Sequence, residues 1–520
     1  MKKAFVLSLG LLALTACQQP ATPDTPDTPL VRTVDFTGLD GKLSLRPGKS
    51  GKLSLDAEPE YIAVSGDSRT AYVTLQESNA LATVEIATGK VKQVAGLGLK
   101  DHSKAGNGLD ASDKDGKINI RNWPVFGAYM PDAVAAFEVG GQTYLITANE
   151  GDTRDYDGFS DEVRVNKLKL DAAAFPNAAE LQKDTALGRL TVSRVDADTD
   201  GDGDADRLVA FGARSASIWR ASDLSLLSDT GDLFERKVAE LAPASFNSDG
   251  TAASFDTRSD NKGPEPEGVT VGMVGGKTFA FVGLERAGGL MVLDVSNPAA
   301  PAYADYVNFL GSSTDPKSGE AGDLAPEGVL FIPAADSPNG EPLLVASHEV
   351  SGSVTVYAVG AGGKLTRTGR YQAAPFLFDE GVAEISAYDK ASKQLFVVNG
   401  HTGGVDLLSL ADPARPALVK SVDLSVYGAG ANSVAVSGGV IAVAVEAKTK
   451  TDAGRVVFLN ADGTVRGQPV PVGALPDMLT FTPDGQHLLV AGEGEPSDDY
   501  SVDPAGTVSI INVSKALAPR

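Results

Sequence analysis

The sequence predicts an all-β fold, a single β-propeller, on three observations: abundant turn residues, scarce helical periodicity, and one strand unit that recurs along the chain. Of 520 residues, 57 are glycine and 29 proline, and a chain so rich in turn formers divides into many short strands. Hydrophobic residues make up 42%, more than disordered segments carry, so a packed core follows. The net charge of -23 repels phosphate backbones, which excludes nucleic acid as a partner and favours cations. A single cysteine excludes a disulfide framework and a Cys-based zinc site, and four histidines leave little for a His-rich one.

Residues 1–16 read as a lipoprotein signal peptide. Met1-Lys2-Lys3 is the charged start, and the apolar run that follows is too short to span a bilayer. Leu14-Thr15-Ala16-Cys17 resembles the bacterial lipobox, so Cys17 is expected to carry the lipid and to be the only membrane contact. Several acyl chains give stable anchoring where one does not. Residues 17–31, with their Thr-Pro-Asp repeats, form an extended tether. Gln18, in place of an inner-membrane-retaining Asp, favours an extracytoplasmic position at the outer membrane or cell surface.

The propeller is expected over 32–520. Its unit opens on an acid or amide, often after Pro, and runs through a short apolar strand, a turn, a second strand and a third. Copies start at Pro59-Glu60, Pro131-Asp132, Pro266-Glu267, Pro326-Glu327, Asp379-Glu380, Ala431-Asn432 and Pro476-Asp477. Second strands are read at 71–75, 144–148, 279–283, 343–346, 395–398, 440–445 and 488–491. Repeats of about 45 to 80 residues with three or four strands suit propeller blades. Seven blades are favoured, with eight as the alternative, because 207–211 and 217–219 form a weaker copy. The last copy lacks a fourth strand, which 32–55 can supply to close the ring.

Antiparallel neighbours bring the start of one strand beside the end of the next, so two sets of residues meet at one channel mouth. Starts supply Glu60, Asp132, Glu267, Glu327, Glu380, Asn432 and Asp477; ends supply Glu77, Glu150, Glu285, Glu349, His401, Glu446 and Glu493. Crowded carboxylates repel and are relieved by a cation or by interleaved bases, for which Arg154, Arg214, Arg286 and Lys262 are available.

Two loops resemble calcium sites. Asp196, Asp198, Asp200, Asp202, Asp204 and Asp206 alternate along 196–206 with Gly at the turn, and calcium takes six to eight oxygens at 2.3 to 2.6 Å. The cofactor expectation is therefore Ca²⁺, with another divalent metal as the alternative. Asp110, Asp113 and Asp115 form a less regular set, weakened by Lys114 and Lys117. Trp123 and Trp219 read as packing residues, and His102 and His487 as surface turn residues.

Four stretches, GLDASDKDGKINIRNWP at 108–124, ANEGDTRDYDGFSDEVRV at 148–165, FGARSASIW at 211–219 and FDTRSDNKGPEPEGV at 255–269, resemble the choice-of-anchor I propeller family of bacterial surfaces. That family is related to a biomineralisation-associated cell-surface glycoprotein of animals. The resemblance implies a surface protein binding cations, mineral or an envelope partner at its acidic mouth. Some members are labelled alkaline phosphatase, so a metal-dependent phosphomonoesterase is the alternative. For it, Glu150, Asp152, Glu267, Glu285, Glu349 and His401 are candidate ligands, and Arg154, Arg258 and Lys262 candidate phosphoryl clamps. The sequence has no nucleophile elbow, zincin helix or P-loop.

Overall fold

A computed structural model describes residues 29–518 apart from 44 and 47; the expected signal peptide, Cys17 and most of the expected tether lie outside the described residues. Seven four-stranded antiparallel sheets follow one another along the chain. The first is built from Pro59–Val64, Thr70–Leu75, Ala80–Glu85 and Lys90–Gly96. The first strands of the others are Val134–Val139, Pro266–Val274, Pro326–Ile332, Ser386–Asp389, Ala431–Ser437 and Pro476–Phe481. Each packs against the first strand of the next sheet, and Pro476–Phe481 returns to Pro59–Val64, so the sheets are the blades of a propeller around one axis.

The ring closes through Val31–Val34, which pairs antiparallel with Thr507–Asn512, from Val31 opposite Ile511 to Val34 opposite Val508. This strand supplies the last blade's fourth strand and covers an otherwise open backbone edge.

Burial explains the strand pattern. A blade's middle strands are covered on both faces by neighbouring blades, so Leu343–His348 is buried throughout, and such strands read as near-continuous apolar runs. An outer strand such as Ala417–Val422 is exposed except at Val422.

Blade 2 is interrupted. Its second strand, Gln142–Asn149, pairs directly with Ser215–Arg220, and residues 150–214 leave between them. The excursion contributes Glu162–Arg164, Thr191–Ser193 and Val209–Ala210 to a separate five-stranded sheet with Phe126–Ala128 and Leu99–Asp101. That sheet has its own core, including Leu109, Trp123, Phe175, Leu187 and Val192. The weak eighth copy is therefore no blade: Val209–Ala210 belongs to the excursion, and Ser217 to Trp219 belong to the third strand of blade 2. An insertion that separates two strands adjacent in space leaves no local signal of their pairing.

Trp219 anchors blade 2. It is 1% exposed, stacks edge-on against Tyr129 at 5.3 Å, and its Nε1 donates to Thr147 Oγ1 at 2.9 Å. Trp219→Ala removes both contacts and leaves a cavity, so a loss of about 3–5 kcal/mol is expected; chemical denaturation measures it, and a loss below about 1 kcal/mol would show that the site collapses around the vacancy.

Candidate functional site

The Pro-acid dipeptide shapes the channel mouth. In five blades the pairing of first and second strands slips by one residue just after the strand opens, between Pro59 and Ile62, Pro266 and Val269, Pro326 and Val329, Ala431 and Ser433, and Pro476 and Leu479. A bulge tolerates proline and re-aims the next side chain. Before the proline stand Glu58, Met130, Glu265, Ala325 and Leu475, all left-handed with φ between 42° and 56°. Non-glycine residues hold that conformation only where their surroundings enforce it. The enforcing contact is a hydrogen bond to the end of the second strand: Glu285 N donates to Glu265 O, Glu349 N to Ala325 O, and Glu493 N to Leu475 O, at 2.8, 2.9 and 3.0 Å. Both sets of acids therefore meet at one mouth.

Glu60, Asp132, Glu267, Glu327, Asn432 and Asp477 line a cavity of about 370 Å³ together with Tyr61, Val329, Ile385 and Leu479. In blade 5 the equivalent residue is Glu384, just before the cavity-lining Ile385, and not Glu380. Its backbone N–H pairs with Val398 O, and its charge acts on Glu327. Glu380 stands four residues earlier, largely exposed, with His401 Nδ1 at 3.1 Å. The sequence misled because this blade has Ala383 where others have Pro, and Asp379-Glu380 imitates the missing signal; spacing to the second strand would have found Glu384.

The second-strand ends need similar corrections. Pro59 pairs with Leu75, as Pro266 pairs with Leu284, so the equivalent of Glu285 in blade 1 is Gln76, not Glu77. Gln76 Nε2 donates to Glu150 Oε2 at 3.0 Å. In blade 5 the place is held by Gly400, whose N–H bonds Gly381 O, and His401 projects away. Glu285, Glu349, Glu446 and Glu493 hold the position in four blades, and in blade 2 the N–H that bonds Met130 O is that of Gly151, one residue after Glu150.

Two groups at the mouth bring three carboxylate oxygens within 4.8 Å of one another. One is Glu150, Glu265 and Glu285. Lys262 Nζ lies 2.5 Å from Glu150 and 3.2 Å from Glu265, Arg258 Nη2 2.5 Å from Glu265, and Arg286 Nη2 2.9 Å from Glu285. Three acids therefore face three bases. Burial pushes Glu265 upward, but Lys262, Arg258 and Arg286 outweigh it and hold the carboxyl below its usual range. Glu265 was not among the expected acids, although Pro264-Glu265-Pro266-Glu267 carries the signal twice.

The other group is Glu60, Asp477 and Glu493. Burial, then Glu493, Asp477, Asp132 and Glu77, push Glu60 well above the carboxylate range. Burial and Glu495 raise Asp477 to about 7. Across the channel, burial and neighbouring acids raise Glu267 and Glu327 well above that range and Glu384 to about 8.

The remaining expected site residues fall elsewhere. Arg154 is 1% exposed and is no clamp: its guanidinium lies 2.8 Å from Glu58 and donates to Glu77 O and Asp56 O. Asp152 is half-exposed, with Lys262 at 3.9 Å. Arg214 is buried away from the rim against Glu235 at 2.6 Å. His102 is buried, not a surface residue, with Asn107 O at 2.7 Å from its Nδ1, and burial first, then Lys100, lowers its pKa to about 3. His487 opens the strand His487–Gly492.

Of the acidic loop, Asp198, Asp200 and Asp206 converge. Asp196 is turned to Arg46 at 2.8 Å and Asp204 to Lys169 at 2.9 Å, while Asp202 Oδ1 accepts from the Asp204 N–H. Asp110, Asp113 and Asp115 do not form a common group among the described residues. Asp110 accepts the N–H groups of Ser112 and Asn119, Asp113 pairs with Arg189 at 2.7 Å, and Asp115 accepts from the Lys117 N–H.

The sequence model of the family described as the choice-of-anchor I domain matches residues 24–298 and 384–518. Gigasin-3a of Magallana gigas is 30% identical over 190 residues, covering 34% of this chain and 66% of that protein. The mesenchyme-specific cell surface glycoprotein of Strongylocentrotus purpuratus is 27% identical over 283 residues, covering 47% and 36%. The chain thus spans less than two-thirds of either relative's length. Among solved structures, the periplasmic gluconolactonase PpgL of Pseudomonas aeruginosa is similar with a TM-score of 0.44 and 15% identity, over 80% of this chain and 86% of that one.

Glu285 and Glu384, both raised to about 8, make stability depend on pH. The folded chain keeps protons that the unfolded chain releases near pH 4, so their contribution is fully present below that range and is lost as pH rises through 8. The melting temperature of the metal-free chain is expected to fall between about pH 4 and 8, and Glu384→Gln to flatten that fall. Calorimetry with chelator present checks it; an identical slope in wild type and variant would contradict it.

Proposed function

The chain belongs to the choice-of-anchor I family, and from that membership and the acidic mouth we propose that it is a lipid-anchored, extracytoplasmic propeller that binds divalent cations, calcium first, where its blades converge. The observation that carries this reading is the recurrence of one carboxylate in six of seven blades, Glu60, Asp132, Glu267, Glu327, Glu384 and Asp477, none of them in a salt bridge among the described residues. Like charges so confined are costly without a counter-ion. Oxygen donors without nitrogen or sulfur match the preference of calcium. The cell-surface glycoprotein among its relatives supports a surface location, from which a mouth loaded with calcium would meet mineral or an anionic envelope partner. Asp198, Asp200 and Asp206 provide a second calcium position in the excursion.

A second reading, a metal-dependent phosphomonoesterase at the same mouth, is favoured by Arg286. Its side chain is 34% exposed beside Glu285, which places a guanidinium where a phosphoryl oxygen could reach it, although its Nε is turned inward toward Glu265 Oε2 at 3.7 Å.

Calcium at a hundredfold excess over its Kd stabilises the folded state by about 2.7 kcal/mol, so the full chain should melt measurably higher in calcium than in chelator. Equal melting temperatures would contradict the reading. Hydrolysis of p-nitrophenyl phosphate that requires metal and disappears in Arg286→Gln would favour the phosphatase instead. For the anchor, Cys17→Ser should move the protein out of the detergent phase, and unchanged partitioning would refute lipidation at that residue.

A further inference from the structure

The two carboxylate groups at the mouth differ in what surrounds them. Around Glu150, Glu265 and Glu285 stand Lys262, Arg258 and Arg286, so each acid on that side has a base in contact. At the seam where the last blade meets the first, Glu60, Asp477 and Glu493 have no such relief: among the described residues none of the three is in a salt bridge, and the groups acting on their charge are other acids. The nearby Arg154 is committed to Glu58 and to the carbonyls of Asp56 and Glu77.

We propose that Glu60, Asp477 and Glu493, backed by Glu77, form a site for a single calcium ion at this seam. The proposal rests on the mouth being a cation-binding surface and names the position within it. Geometry is the first support. Two ligands of an ion at about 2.4 Å lie at most about 4.8 Å apart, and the three oxygens all fall within 4.8 Å of one another.

Glu77 is the second support, and it is independent of the triad. It is 8% exposed, its Oε2 has no hydrogen-bond partner, and its charge acts on both Glu60 and Glu493, while Arg154 relieves it only in part, so that burial and Glu58 still hold it well above the carboxylate range. A buried carboxylate oxygen without a partner is costly, and a cation held by the triad supplies one. The excursion loop differs, because Asp198 already accepts the N–H groups of Gly201 and Gly203 at 2.6 and 3.0 Å.

The segment that bears Glu493 is held in place. Glu495 meets Lys450 Nζ at 3.2 Å and the Tyr156 hydroxyl at 3.0 Å, while Tyr156 and Tyr500 stack edge-on at 5.4 Å. The excursion from blade 2 thereby braces one ligand of the site, which limits the reorganisation that ion binding would require.

The test uses the full chain with Asp198→Asn and Asp200→Asn in place, so that the loop does not compete, and equilibrium dialysis against calcium. One ion per chain is expected. Adding Glu60→Gln with Glu493→Gln should weaken binding by at least about thirtyfold, whereas Glu267→Gln with Glu327→Gln should weaken it by less than about tenfold, because affinity follows the charge of the direct ligands. Retention of affinity within about threefold in the Glu60 and Glu493 variant would overturn the site. Loss of the ion only in the Glu267 and Glu327 variant would overturn the site and leave the cation-binding mouth standing; no bound calcium in any form would overturn both. Melting in chelator gives a second readout that also reports folding. The Glu60 and Glu493 variant should melt above its parent, since like charges have been removed, and a lower melting temperature would mean that the protein itself holds these carboxylates and would equally overturn the site.

Discussion

The left-handed residue and the bulge that open the first strand are the constraint on which the mouth depends. Glu265, Ala325 and Leu475 each sit at positive φ before a proline, a conformation that the proline opposes. The residue after the proline is the one aimed at the axis. Each such residue costs on the order of 1–3 kcal/mol, and the carboxylates they gather repel one another. Middle strands buried on both faces, such as Leu343–His348, supply the packing that holds this arrangement in place. Stability built in the body of each blade offsets strain and charge concentrated at its inner end.

The mouth is unequal from side to side, and the connections between strands make it so. Lys262 and Arg258 arrive on the segment that leads into blade 3, and they place a base against Glu150 and Glu265. Across the channel, the excursion and the segment before blade 1 bring bases close without offering them to the mouth. Arg46 is spent on Asp161 and Asp196, and Arg154 on Glu58. Buried charges need partners of this kind, and their absence around Glu60, Asp477 and Glu493 singles that group out.

Strand number, strand order and the pairing of acid starts with acid ends were legible because each follows from local pattern. Apolar runs mark the middle strands, and Pro-acid marks the bulge. Local pattern failed where the marker was imitated or displaced. Glu380 was read for Glu384 because Ala383 replaces proline, and Glu77 for Gln76 because register cannot be fixed to one residue without the ladder. The excursion was illegible for a different reason: it separates Asn149 from its strand neighbour Ser215 by a segment that folds around its own core. Charge partners are set by such tertiary contacts, so the commitment of Arg154 and Arg214 had no local signal.

Carboxylates at the seam of the ring that hold a divalent cation would show it in an anomalous difference map from crystals of the full chain soaked in a terbium salt, where lanthanide scattering stands in for calcium. A peak bounded by Glu60, Asp477 and Glu493, with Glu77 behind it, is expected. A map with density at Asp198, Asp200 and Asp206 and none in the channel, or a peak seated between Glu150 and Glu285 instead, would contradict it.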